Sequence, residues 1–563
     1  MRSDEAETPE ADAPADRDRR RALGMVAWSA GVALTGSVAA RSRAATTNTV
    51  LDPRPRPATS PTAPSAAAVA APTGAPSTTA QPATTTAPME QAGPLSGDAL
   101  VLHIAKRATF GPTLALLDEI RTLGVDPWLE RQLAPAAIPD AAVDEELVNL
   151  RDLARHPADF RADGRVGDGL LGDLRVAALL RATRSNRHLQ EVMVDLWHDH
   201  LTASAAKGCV EWHLPTYDRE SIRPHALGRF ADLLRAATRS GAMLEYLDTT
   251  SSSAPDVNEN HGRELLELHT VGGAAGFTQE DVTGAARVLS GWTLHPQDLT
   301  VIFDPARHHA GPATVLGWST AGGGGARAAG DLDSLLNHLA THPATATRIA
   351  SLLVRRFVAD APPDSVVAST AAAYLATGTD IAATLRHLFA TAEFRRAGAP
   401  ILRRPFDLLV AQLRATGATL DVPNLGERLL PVAARTDPLV GPLVEPLLEG
   451  TGMMLDPLAE PLVRGVVEQR PIARSMADTL RTNGQLLFMA PNPSGHTITG
   501  SRWISGDALL RRWTLGALVA QDGLPGITVD PVPLAGGAPT AGAATDALAR
   551  HCFGTAASAA TRA

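Results

Sequence analysis

The chain has 563 residues, of which 44% are hydrophobic, and a formal net charge of −9. That length supports a sizeable core. The acidic balance, with no basic block beyond the N-terminus, excludes the concentrated cationic face of a nucleic-acid binder. The two cysteines, Cys209 and Cys552, allow one bridge at most and no disulfide framework, and they read as isolated structural thiols.

Aromatic residues make up only 4%, and Ala, Leu, Arg and Gly dominate. Ala, Leu and Arg lose little side-chain entropy in a helix, so the composition predicts a mainly α fold. Lys106 and Lys207 are the only lysines. The near-exclusive use of arginine reads as codon bias, not as an anion-binding device.

Residues 1–44 have the order of an export signal. A polar, acidic start leads to Arg19-Arg20-Arg21, then to an apolar run over Gly24–Ala40 and a small-x-small site at Ser42-Arg43-Ala44. Paired arginines before a weakly apolar stretch resemble a twin-arginine signal. Gly, Ser and Thr in the run make it a poor permanent span, so no stable membrane span is expected after cleavage; an uncleaved N-terminal anchor stays open. The expected location is the cell envelope or the extracellular space. Residues 45–95, nearly all Pro, Thr, Ala and Ser, cannot bury enough apolar area to offset their ordering entropy and read as a disordered tether.

A helical domain is expected over 96–530. Asp98 can cap a helix through Leu102 and Ile104, and Phe230, Leu233 and Leu234 share a helical face. Thr278 and Asp281 match a capping box. Pro343 suits a first helical turn, and Asp360-Ala361-Pro362-Pro363 stops that helix. The strand signal is thin: residues 300–303 and 314–316 suggest one small β-hairpin, with Arg307, His308 and His309 in the intervening loop. Gly322–Gly325 lacks dinucleotide-fingerprint spacing. Residues 421–475, rich in Pro and Leu, read as an insertion of short helices, and 531–563 as a disordered tail.

Several phrases together resemble the bacterial "domain of unknown function 1800" family. They are LHIAKRATFGPT (102–113), DLWHDHLT (195–202), NENHGRELLELHTVG (258–272), FTQEDVTGAARVLSGWT (277–293), FDPARHHAGPATVLG (303–317) and THPATATRIASLLVRRFVADAPP (341–363). GQLLFMAPNPSGH (484–496) is a weaker C-terminal match. The resemblance implies an exported, mainly helical protein with no established activity. It also suggests a co-exported sulfatase-like protein, or another envelope component, as partner. This sequence departs from the family's pattern at Asp199 and Leu201, where Asn and Phe are common, at His261, where an aromatic is usual, and at His309, where Asp is usual.

The densest polar constellation contains His198, His200, Asn258, Asn260, Arg263, Glu264, Glu267 and His269. Imidazole with carboxylate suits general acid/base work, assigned here to Glu264, Glu267, His269 and Arg263. It equally suits a divalent metal such as Zn, Fe or Mn, with His198, His200, Glu264, Glu267 and His308 as ligands. Two residues apart, His198 and His200 lie roughly 200° around a helix, so they meet at one ion only if residues 197–201 are not helical. There is no H-E-x-x-H and no G-x-S-x-G. The same residues also have structural readings: an Arg263–Glu267 helix pair, a buried Arg287–Glu264 pair, and His269 at a helix C-terminus. Two functions follow. One is a metal- or acid/base-dependent envelope enzyme; the other is a non-catalytic envelope protein that binds a partner.

Overall fold

The computed structural model describes residues 93–164, 170–422 apart from 397 and 399, and 471–553 apart from 531–533, 535 and 539. The expected signal peptide, almost all of the tether and most of the 421–475 insertion lie outside the described residues. The fold is mainly α, with three two-stranded antiparallel sheets. Among the described residues, no helix is long and apolar enough to cross a membrane.

The helices of nine or more residues begin with α1 (Gly97–Ala108), α2 (Leu114–Leu123), α3 (Gly172–Arg184) and α4 (His188–His200). Then come α5 (Phe230–Thr238), α6 (Gln279–Leu289), α7 (Ala326–Ala340), α8 (Pro343–Phe357), α9 (Asp364–Ala376) and α10 (Ile381–Ala390). The C-terminal group is α11 (Pro405–Thr416), α12 (Pro471–Thr482), α13 (Gly506–Ala520) and α14 (Ala541–Phe553). Ser96 holds the N-cap position of α1, with Asp98 in the first turn. The capping box of α6 forms: Thr278 Oγ1 accepts from the Asp281 N–H at 3.2 Å, and Asp281 accepts from the Thr278 N–H at 2.7 Å. Helix α8 starts at Pro343 and ends at Phe357, short of the proline pair.

Helix α11 is the centre of the C-terminal half. Every residue from Pro405 to Ala415 is buried, and α3, α13 and α14 pack around it. Helix α11 therefore has no solvent face, although it carries Asp407, Gln412 and Arg414. Pro405 sets the first turn and Gly417, left-handed at φ 60°, closes the last. Polar groups buried with it, Arg404 and Asp407 among them, must find partners inside the protein.

Three local expectations are corrected. Strand 301–303 pairs with Trp292–Leu294, and Ala313–Val315 pairs with Trp318–Thr320, so segments 300–303 and 314–316 belong to separate hairpins. Each finds a nearer partner across a short turn, which costs less loop-closure entropy. The 531–563 region contains α14, whose Ala544, Leu548 and Ala549 are buried; the Ala-rich text hides a helix that is held by α11. Arg263 pairs with Glu259 at 3.5 Å, not with Glu267, and Arg287 donates to the Pro312 carbonyl, not to Glu264.

Candidate functional site

Helix α4 has two faces. Leu189, Val192, Met193, Leu196 and Trp197 are wholly buried in the core. On the other side, Glu191, Asp195, His198 and Asp199, with Thr202 beyond the helix end, recur at intervals of three and four and line an internal cavity of about 50 Å3. That is room for a few water molecules at most. Two charge networks meet at this cavity.

The first is centred on Asp218. Pro215 cannot donate in the preceding helix Val210–Thr216, and the chain widens into a π-helical stretch, Tyr217–Ile222, that carries Asp218 inward. Asp218 accepts from His198 Nε2 at 2.9 Å and lies 3.3 Å from Arg223 and 3.5 Å from Arg181. Burial alone would raise its pKa. Arg223, the His198 hydrogen bond and Arg181 outweigh that and hold the carboxyl well below the usual range.

The second is a clasp around Arg404, which is 2% exposed. Its guanidinium meets Asp195, Asp199 at 2.6 Å and Asp407 at 3.0 Å. Burial, reinforced by Asp407 and Asp199 against the pull of Arg404, pushes the Asp195 carboxyl up to about 6. Asp199 moves the other way: burial would raise it, but the hydrogen bond from His496 and the charge of Arg404 bring it below its ordinary value.

His496 completes the site. Gly495, at φ +71°, lays its loop on the C-terminal end of α4; a Cβ there would stand 2.0 Å from the Asp199 carbonyl oxygen. Only glycine allows that approach. Asp199 Oδ1 then accepts from both the backbone N–H and Nδ1 of His496, each at 3.1 Å. An ionised carboxylate only accepts, so Nδ1 carries a proton, and in the neutral imidazole the lone pair is then on Nε2.

Asp199 and His496 also line a second, open space of about 740 Å3. They therefore form the wall between the inner cavity and an outer groove. The other walls are one face of α8, the Val271–Ala275 segment and the Ser494–Thr499 loop.

The residues singled out from sequence are only partly brought together: His200 meets His269 and Glu264 feels Glu267, while His198 and His308 go to other neighbours. Helix α4 stays helical to His200, with the Leu201 N–H on the Trp197 carbonyl at 2.8 Å, so His198 and His200 point apart. His200 bonds through Nε2 to the His269 carbonyl at 3.1 Å. Burial, and then Arg348, push both His200 and His269 down to about 3. His308 is buried against Phe303 and donates from Nδ1 to the Ser290 carbonyl at 2.8 Å. Glu264 is held above its ordinary value by burial and by Glu267. His269 is buried, and Arg263 bonds Gln279 on the surface. Among the described residues, no three His, Cys, Asp or Glu side chains are arranged to hold a metal ion. The expected ligand set His198, His200, Glu264, Glu267 and His308 is thus not brought to one point, because an unbroken helix sends the two imidazoles to different neighbours.

Asp195, Asp218, Arg404 and His496 were missed. The 191/195/198/199/202 periodicity was readable from the sequence; the approach of residues 404 and 496, some 200 and 300 positions away, was not.

The fold and site define a class: a mainly helical protein with a buried arginine–aspartate clasp under an open groove. The chain matches, over residues 103–563, the model of a family described as "Protein of unknown function (DUF1800)", and it belongs to that family. No curated protein and no solved structure matches it.

Proposed function

We propose that this protein is an exported acid/base enzyme whose general base is His496. One observation carries the reading. Asp199 is fixed by Arg404 on one oxygen and takes the backbone N–H and the Nδ1–H of His496 on the other, so the imidazole is held in one orientation in the wall that it shares with an open groove. A carboxylate that holds an imidazole in one tautomer and stabilises its protonated form is a recurrent arrangement for taking a proton from a substrate hydroxyl or water. Asp199 is a positioning residue in this scheme. Asp195, pushed up to about 6 beside the inner cavity, is a suitable proton reservoir behind it. The export half of the proposal rests on the order of residues 19–44 alone.

The test is a panel of p-nitrophenyl substrates, covering acyl, phosphoryl, sulfuryl and glycosyl esters, offered to wild type and His496→Ala. The expected result is turnover of at least one class, reduced about 10²–10⁴-fold in the variant with the fold unchanged by circular dichroism. A folded His496→Ala protein that works at the wild-type rate would overturn the reading. So would a wild type inert on every class, which leaves a non-catalytic binding protein.

A further inference from the structure

The arginines around the inner cavity are neutralised: Arg181 and Arg223 by Asp218, Arg223 also by Glu191, and Arg404 by its three aspartates. The groove differs. Arg348 and Arg355 both line it, and neither has a carboxylate within 4.0 Å among the described residues. They lie seven residues apart on α8, two turns along one face, about 10 Å by helix rise. Thr347 and Ser351 also line the groove, the Thr347 hydroxyl donating back to the Pro343 carbonyl at 3.1 Å. The Arg348 guanidinium is held in place by its Nε donating to the Leu268 carbonyl at 3.0 Å. Gly272 backs it so closely that a Cβ there would sit 3.1 Å from Nη1. Among the described residues, the one carboxylate lining the groove, Asp199, is already matched by Arg404 and His496. Glu267, the acid whose charge acts on Arg348, lies beyond ion-pair distance. On a chain of net charge −9, this is a local cationic surface in the groove that His496 also lines.

We propose that the groove binds the oxyanion group of its substrate, a phosphate, sulfate or carboxylate, through Arg348, with Arg355 drawing the anion in from the rim. A planar guanidinium presents parallel N–H donors, the geometry that oxyanions take. This assignment rests on the groove being the substrate site, and it names the class of substrate: one that carries an anionic group next to the bond or proton on which His496 acts.

The experiment uses the full chain and three probes, inorganic phosphate, inorganic sulfate and acetate, with methyl glucoside as neutral control. Binding is read by titration calorimetry and thermal shift at low ionic strength. At least one oxyanion should bind and raise Tm, the glucoside should not, and Arg348→Gln should weaken the bound oxyanion about tenfold. The three probes identify the type of anion. Ester turnover by a wild type that binds no oxyanion would overturn this assignment and leave the general-base reading standing, whereas oxyanion binding by a wild type inert on every ester class would do the reverse, so the two failures are read separately. No response to any oxyanion, or an Arg348→Gln/Arg355→Gln double variant that binds like wild type, would overturn the proposal.

Discussion

Arg404 and its three aspartates show how far one buried residue can set the state of its neighbours. Taking two charges out of water costs several kcal/mol per ion, and that cost is recovered only through close, multiple contacts. Removing the cation leaves Asp195, Asp199 and Asp407 facing one another without it. Arg404→Ala should therefore cost about 3–5 kcal/mol in urea unfolding at neutral pH; a loss below about 1 kcal/mol would show that the clasp contributes no more than a surface pair. Asp195 gives a pH-dependent prediction of definite sign. Its folded pKa, about 6, lies above the unfolded value. The folded state therefore holds the extra proton between about pH 4 and 6, and this residue's contribution falls as pH rises through that window. Relative to Asp195→Asn, the wild type should lose up to about 3 kcal/mol between pH 4 and 7. Asp199 and Asp407, whose pKa values are lowered, change in the opposite direction at more acid pH in both proteins. Parallel stability profiles for the two proteins across pH 4–7 would refute the assignment.

At the scale of elements, α4 and α11 do opposite things with the same helical period. Helix α4 is amphipathic in an unusual sense: one face enters the apolar core and the other carries the acids and imidazole of an internal cavity. Helix α11 is buried on all sides, and α14 is one of the helices that cover it. A chain stopped before Ala541 would expose α11 and lose the burial of Leu548, Ala544 and Ala549. The truncated protein should be less stable by at least about 2 kcal/mol, read from its urea midpoint; an unchanged midpoint would mean that α14 does not dock. The sequence was legible where a signal is local. The Thr278–Asp281 box, Pro343 at the start of α8 and the stop after Phe357 all need only a few adjacent residues. It was misread where the nearest competitor decided the outcome, as with the strands at 301–303 and 313–315, each of which pairs with its own neighbour.

For the whole molecule, composition and periodicity alone determined a mainly helical protein, and the phrases spread from residue 102 to 496 determined its family, because helix propensity, caps and motif text are properties of short stretches. Which polar residues share a site was decided only by tertiary structure. His198 and His200 are neighbours in sequence, yet a helix turns them to different partners. Asp199, Arg404 and His496 are remote in sequence, yet the burial of α11 and the close approach at Gly495 set them in one hydrogen-bonded chain. An arginine-rich composition likewise does not tell which guanidiniums meet carboxylates. Packing pairs Arg223 and Arg404 and leaves Arg348 and Arg355 facing a groove, since the free energy of a charge depends on what is folded against it.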